Sequence, residues 1–313
     1  MITLDDIRGA AERIGPHVRR TPTIEVTSVS EPVTNARLFL KLENLQATGS
    51  FKTRGATNKL LSLPPEAVAK GIVTASGGNH GLAVARAARS AGVEATVFVT
   101  ESATEEKLNK LRLWGAKVEV VGKIWNETNI AALAHAETSG GAYFHPFADP
   151  LVVAGQGTAA LELLESVPDL EVVLLAIGGG GLISGMSVAL KSLKPSIRVI
   201  GIEPVGSPTL KASLDAGKVV RLESVTSKVA TMSCGETDPE VFALIRDHVD
   251  EIVLVSDEEM EAAAKWLWFE LGIAADLSGA ASIAALRSGK VQLGDGVNSG
   301  ALICGAGLDG VRA

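Results

Sequence analysis

The sequence predicts an α/β protein built from two open, mostly parallel sheets with helices on both faces. Three observations carry this reading. Short apolar strand patterns alternate with helical patterns along most of the chain. Two of the strands, 71–76 and 171–178, run directly into glycine-rich turns that open helices. The 313 residues supply more core than one small domain needs, yet no Ser- or Pro-rich linker divides them. The predicted organisation is therefore a small domain, 71–147, inserted in a large one made of 1–70 and 148–313.

The elements follow in order. Ile7, Ala10, Ala11, Ile14 and Val18 recur at helical spacing and predict a helix over 4–18. "ARLFLKLEN" (36–44) reads as a strand, and 51–63 as a helix stopped by Pro64 and Pro65. The strand 71–76 enters "GGNHG" and an alanine-rich helix, 80–91. Strand 94–99, helix 104–115, strand 117–122 and helix 126–139 complete the small domain. Helix 152–165, strand 171–178, helix 182–193 and strand 198–204 begin the return to the large one. Strand 251–256, helix 257–271 and strand 300–307 end it. No period of repeating units is present.

Composition excludes several classes. Acidic residues outnumber basic ones, 36 to 29, for a formal charge of −7, so no basic excess exists to neutralise nucleic-acid phosphates. Aromatics are 4% of the chain, too few for base-stacking platforms. The longest apolar run, "VVLLAI" (172–177), has the length of a buried strand, not of a membrane span. Two cysteines, Cys234 and Cys304, cannot build a disulfide framework. With no signal-peptide pattern at the start, the expected setting is the cytoplasm.

Three turns carry the chemistry. In "GGGGLISG" (178–185) consecutive glycines can bring several backbone N–H groups onto one anion at a helix N-terminus. No Gly-Lys-Ser/Thr follows and no ribose-binding acid sits at the expected distance, so it is neither a P-loop nor a dinucleotide fingerprint. A tight turn without ligand is the plain alternative. In "ASGGNHG" (75–81), Ser76, Asn79 and His80 can bind a carboxylate or ring hydroxyl, or simply cap the helix. "ALICGAGLDG" (301–310) ends a strand at Cys304, either a core thiol or a group at the ligand-binding end of the sheet. Lys52, at the helix start in "ATGSFKTRGATNKLL" (47–61), would alone be a surface lysine. Beside a phosphate cup and a carboxylate-binding turn, it completes the set needed to hold a phosphorylated aldehyde as a Schiff base.

"TGSFKTRGA" (48–56), "SGGNHG" (76–81) and "GGGGLISG" (178–185), in that order, resemble the fold-type II pyridoxal-phosphate enzymes, which share the tryptophan synthase β-like fold. The branch most similar is that of the threonine/serine dehydratases and serine racemases, and the resemblance runs from "RRTP" (19–22) to "ALICGAGLDG". It implies that pyridoxal 5′-phosphate is the cofactor and that Lys52 is the Schiff-base lysine. It implies further that Phe51 packs near the ring, that Asn79 binds the ring hydroxyl, and that Gly178, Gly179, Gly180, Gly181 and Leu182 form the phosphate cup. Ser76, Gly77, Gly78, Asn79 and His80 correspond to the loop that takes the substrate carboxylate. Gly235 corresponds to the glycine on the opposite ring face, and Cys304 falls where relatives place serine or threonine beside the pyridine nitrogen. The implied reaction is dehydration and deamination of a β-hydroxy amino acid such as L-threonine or L-serine to a 2-oxo acid and ammonia. A homodimer is the usual assembly.

The sequence also departs from the family pattern. Racemases of this branch carry a serine after Ser76, and here Gly77 has no side chain to move a proton. Relatives with an activating divalent cation place acidic residues soon after "EP". Here Glu203 is followed by Ser207 and Thr209, so no metal site is expected. Asp276 replaces the usual glutamate in "ADLSGAA" (275–281). Glu236 reads either as a contact to the β-substituent, as in diaminopropionate ammonia-lyases, or as a solvated loop acid. Racemisation, and elimination or replacement on hydroxyaspartate, phenylserine or diaminopropionate, remain alternatives. More distant ones are a cofactor-binding protein with little catalysis and a nicotinamide-dependent oxidoreductase.

Overall fold

The chain forms two mostly parallel sheets, and separate apolar clusters pack against each. The structure is a computed structural model and describes residues 1–311, so the last two residues of the predicted large domain lie outside the described residues. The elements run α1 (Leu4–Ile14), β1 (Thr23–Glu25), β2 (Arg37–Lys41), α2 (Lys52–Ser62) and the one-turn α3 (Pro65–Val68). Next come β3 (Ile72–Ala75), α4 (Asn79–Ala91), β4 (Ala95–Val99), α5 (Glu105–Leu113), β5 (Lys117–Val120), α6 (Trp125–Ser139) and β6 (Ala142–Tyr143). The chain continues with α7 (Pro150–Ser166), β7 (Val172–Ala176), α8 (Gly181–Leu193), β8 (Arg198–Pro204), α9 (Thr209–Ala216), α10 (Pro239–His248) and β9 (Glu251–Val255). It ends with α11 (Asp257–Leu271), α12 (Leu277–Arg287) and β10 (Asn298–Leu302).

The large sheet has the order β1-β2-β10-β7-β8-β9 and the small one β5-β4-β3-β6. All pairings are parallel except the β1–β2 pair at one edge. The predicted fold class is therefore observed. β7, between β10 and β8, is apolar and buried throughout, as a strand covered on both faces must be. The core under the small sheet also draws in Ala56, Leu60 and Val68, which precede residue 71.

Several boundaries differ from the sequence reading. The first helix ends at Ile14, with Gly15 still donating to the Ala11 carbonyl and Pro16, which has no N–H, following it. The strand predicted over 36–44 stops at Lys41, where Glu43–Leu45 tightens into a 3₁₀ turn. The strand predicted to 307 ends at Leu302, leaving Cys304 and Gly305 in an irregular stretch bridged to Ser50. α9, α10, α12 and the short β1, α3 and β6 are additional elements. α12 is small and apolar on nearly every side, because it is buried all round and shows no amphipathic stripe. α10 does carry a start signal, Asp238 followed by Pro239, and Asp238 accepts from the N–H groups of Glu240 and Val241.

α2 is positioned by backbone contact and by charge. A Cβ on Gly155 of α7 would lie 2.7 Å from Gly55 Cα, so the two helices touch at paired glycines. The Gly55 N–H donates to Gln156 Oε1 at 3.1 Å. One residue earlier, the fully buried Arg54 donates to both carboxyl oxygens of Glu43, at 2.7 and 2.8 Å. It also donates to both oxygens of Glu162 and to Thr158. Lys41, equally buried, donates to Glu162 and to the Thr21 carbonyl. Burial opposes the charge on Arg54, but Glu43 and Glu162 outweigh it and raise its pKa. Arg54→Leu leaves Glu43 buried without its cation. It should lower the unfolding free energy by about 3–5 kcal/mol, read from denaturant midpoints at unchanged slope.

Candidate active site

In the turn between β7 and α8 the position a Cβ would take on each glycine is already occupied by a neighbour. A Cβ on Gly178 would come within 2.9 Å of the Thr231 carbonyl. On Gly179 it would enter the Phe147 ring at 2.3 Å, and on Gly181 it would reach the Phe147 carbonyl at 2.7 Å. Gly180 adds a left-handed φ of 97° and a 2.6 Å approach to Val241. The neighbours leave no room for side chains, and the backbone of the turn stays bare. Among the described residues, the N–H groups of Gly178, Gly179 and Gly180 donate to no protein acceptor. Together with the α8 N-terminus and Leu182, they form a cradle for an anion.

Lys52 opens α2, and its amine donates to the Pro146 carbonyl at 2.6 Å. Phe147, the next residue, is the one packed on Gly179 and Gly181, so the amine and the glycine turn meet through two adjacent residues. The amine also stands 5.2 Å from the centre of the Phe51 ring. Desolvation brings its pKa down to about 8; Cys304 and Cys234 pull weakly the other way. A lysine that loses its proton this easily is a nucleophile and a base.

The β3–α4 turn provides a second set of donors. Ser76 Oγ accepts from the Gly78 N–H at 3.4 Å, and α4 starts at Asn79 with its first N–H groups free. Asn79 Nδ2 donates to Asp276 Oδ2 at 3.0 Å. Asp276 in turn caps α12 through the Gly279 N–H and accepts from the Ser278 hydroxyl. The replacement of glutamate by Asp276 thus leaves a carboxyl group that links the start of α4 to the start of α12. His80 is buried, with Nε2 against the Phe144 carbonyl, and burial followed by the Lys52 charge keeps it neutral. A Cβ on Gly77 would meet Val99 Cγ1 at 3.3 Å.

Two further segments reach the same place. The Phe51 N–H donates to the Cys304 carbonyl, and the Cys304 thiol lies 3.5 Å from Ser278 Oγ. Burial and then Asp276 push the Cys304 thiol far up, so it is uncharged at neutral pH. Thr231 and Met232 lie against Gly178, and Thr231 lies 3.8 Å from a Cβ on Gly78, so this loop spans the two glycine turns. Gly235 follows, its carbonyl accepting from Leu222. The Cys234 thiol, raised to about 11 by burial, donates to the Glu236 carbonyl, while the Glu236 side chain is exposed.

Sequence reasoning missed "HPF" (145–147). His145 Nδ1 accepts from the Phe147 and Ala148 N–H groups, at 3.2 and 2.8 Å, and its ring stacks edge-on against Phe147. Burial and the Lys52 charge hold its pKa down at about 4. The available signal was a His-Pro-Phe run directly before the Asp149–Pro150 helix start. Thr237, whose hydroxyl donates to the Gly179 carbonyl at 3.0 Å, was also unmarked. A separate cleft of about 370 Å³ between α1 and α7, lined by Asp5, Asp6, Arg13 and Asn58, contains none of the predicted site residues.

A low-pKa lysine tied to Pro146, whose neighbour Phe147 packs on a bare-backbone glycine turn, with the open start of α4 as a second set of N–H donors, fits a phosphorylated carbonyl cofactor in an α/β enzyme. The chain matches the family of pyridoxal-phosphate dependent enzymes over residues 14–305 and belongs to it, within the fold-type II group. It is 42% identical over 286 residues to an L-threonine ammonia-lyase of Thermotoga maritima, covering 91% of this chain and 71% of the relative. It is 38% identical to a catabolic L-threonine dehydratase of Staphylococcus aureus, covering 100% of this chain and 91% of that one. The solved structure of maize serine racemase superimposes with a TM-score of 0.93 at 33% identity, over 97% of this chain and 93% of that one.

Gly179→Ala drives a methyl group into the Phe147 ring. The variant should lose about 1–3 kcal/mol of stability and release pyridoxal phosphate more readily, measured by thermal unfolding and by cofactor retention on gel filtration.

Proposed function

We propose that this protein is a pyridoxal-phosphate-dependent ammonia-lyase that removes water and ammonia from a β-hydroxy amino acid, threonine or serine, and releases a 2-oxo acid. The observation that carries the reading is the Lys52 amine, desolvated to a pKa of about 8 and held one residue from the ring that closes the glycine turn. The threonine ammonia-lyase and dehydratase relatives support the substrate class. Bound pyridoxal phosphate supplies an aldehyde that captures amines and a ring that takes up the electrons released at the substrate Cα.

The chain's own residues divide the remaining work. Lys52 would anchor the cofactor and, once freed by the substrate amine, would accept the Cα proton. The N–H groups of Gly178 to Gly181, with Leu182, would hold the phosphate. Asn79, held by Asp276, would serve the ring hydroxyl, and the neutral Cys304 thiol would serve the ring nitrogen without protonating it as an acid would. Ser76 and the N–H groups of Gly77, Gly78, Asn79 and His80 would receive the substrate carboxylate. Phe51 and Gly235 would flank the ring, the glycine leaving room for it. Serine racemase is the second reading, favoured by the maize structure. Gly77 opposes it, having no side chain and Val99 against it. We take residues 71–147 as the inserted small domain, and the working form as a cytoplasmic homodimer, which sedimentation tests. Both cysteines are unpaired, and no helix among the described residues is long and apolar enough to cross a membrane.

Lys52→Ala should lose the visible absorbance of the bound cofactor and lower kcat roughly a thousandfold, the scale of a lost general base. A colourless wild-type protein overturns the reading. 2-Oxo acid release is to be assayed with threonine, serine, hydroxyaspartate, phenylserine and diaminopropionate. D-Serine forming faster than pyruvate would instead establish the racemase.

A protonated Lys52 amine cannot accept the Cα proton. Its pKa is lowered to about 8, so the neutral base is present above that pH and is lost below it. The rate should therefore fall as pH drops below about 8, which a kcat–pH profile reads directly.

A further inference from the structure

The divalent-cation site that the family resemblance raises after Glu203 is filled by the protein itself. Glu203 is fully buried at the end of β8, and its two carboxyl oxygens accept from the N–H groups of Leu210 and Lys211, each at 2.8 Å. The carboxylate thereby caps α9. Ser207 Oγ donates to the Cys234 carbonyl at 2.9 Å and accepts from the Cys234 N–H at 3.0 Å. Thr209 Oγ1 donates to the same carbonyl. A hard cation needs about six to eight oxygens with lone pairs turned towards it. Here one carboxylate is committed to backbone N–H groups, and both hydroxyls spend their protons on a carbonyl. Among the described residues no group of three or more His, Cys, Asp or Glu is arranged around a metal. The residues do not fit a divalent cation.

The same hydroxyls hold the loop that carries Gly235. The Cys234 carbonyl is gripped from the β8–α9 turn, and Thr226 donates to the Gly206 carbonyl at 2.8 Å a few residues earlier. On the far side of Gly235, Thr237 is tied to the Gly179 carbonyl in the glycine turn. Gly235 thus sits between two anchors, one on the β8–α9 turn and one on the phosphate cradle.

We propose that the Ser207 and Thr209 hydroxyls replace a divalent cation as the clamp that holds the 231–237 loop against the cofactor, so that the enzyme works without such a cation. Ser207 and Thr209 are positioning residues, acting through Cys234 and Gly235. The link to the cofactor rests on the function proposed above.

The test has two arms on the pyridoxal-phosphate-loaded enzyme. In the first, chelator-treated protein is titrated with magnesium, calcium and manganese chloride by calorimetry and by thermal unfolding. No saturable heat and no rise in Tm are expected; saturable binding with a rise in Tm overturns the proposal. In the second, cofactor release is timed for wild type, Thr209→Val and Thr209→Ser. Thr209→Val should release it about three- to tenfold faster, the range one hydrogen bond supplies, with an unchanged circular dichroism spectrum. Thr209→Ser should match wild type. Release unchanged in Thr209→Val overturns the clamp. If that variant does not fold, Ser207→Ala removes the other donor and is read against the same two outcomes. A wild type that binds no pyridoxal phosphate, seen as absence of the visible band, would sink the functional reading and leave the cation arm to stand or fall alone.

Discussion

The pairing of Arg54 with Glu43 and Glu162 is the constraint on which the rest of the site depends. Two cations and Glu43 lie out of water together with the partly buried Glu162, each satisfied by the others and by Thr21 and Thr158. Desolvating such charges is expensive, and swapping them all for apolar side chains of like volume often costs little stability. What an apolar cluster would lack is direction. The Arg54 fork fixes the rotation of α2 about its axis through hydrogen bonds to β2's end and to α7, while Gly55 and Gly155 fix its distance. Rotation and distance together put Lys52, two residues before Arg54, at the Pro146 carbonyl.

Around that amine the electrostatics are set by withdrawal from water. Lys52, His80 and His145 are all driven towards their neutral forms by burial, and the Lys52 charge adds to it at the two histidines. Burial drives Cys304 and Cys234 towards the thiol for the same reason. The site therefore holds few net charges of its own. The anionic groups of the proposed cofactor and substrate would be met by backbone dipoles at the α4 and α8 N-termini, which cost no desolvation of a side-chain charge.

Much of this was legible before any coordinates. The alternation of strands and helices fixed the sheet type, and "GGGG" after an apolar strand marked a turn that packing indeed permits only to glycine. Lys52 is singled out in the sequence by its company rather than its immediate surroundings, and the structure shows its amine buried and its pKa lowered. What stayed hidden has physical reasons. α12 lies buried on all sides, so no periodic stripe betrays it. The roles of His145 and Phe147 arise from contacts with Lys52 and Gly179, residues 30 to 95 positions away in the chain. Asp276 looked like a lost glutamate, and only its hydrogen bond to Asn79 reveals that it joins the starts of α4 and α12. Ser207 and Thr209 read as missing ligands, when their hydroxyls are engaged by a carbonyl from a loop without regular structure.

The two thiols have one more consequence. Only a thiolate attacks electrophiles at speed, and burial suppresses ionisation at both sulfurs, more completely at Cys304 than at the half-buried Cys234. A sulfur beside a reactive lysine is usually a vulnerability. Here the same dryness that strips the lysine of its proton keeps its sulfur neighbours inert, so the enzyme should tolerate peroxide and alkylating agents that disable thiol-dependent catalysts, with Cys234 the first to be labelled when the dose is raised.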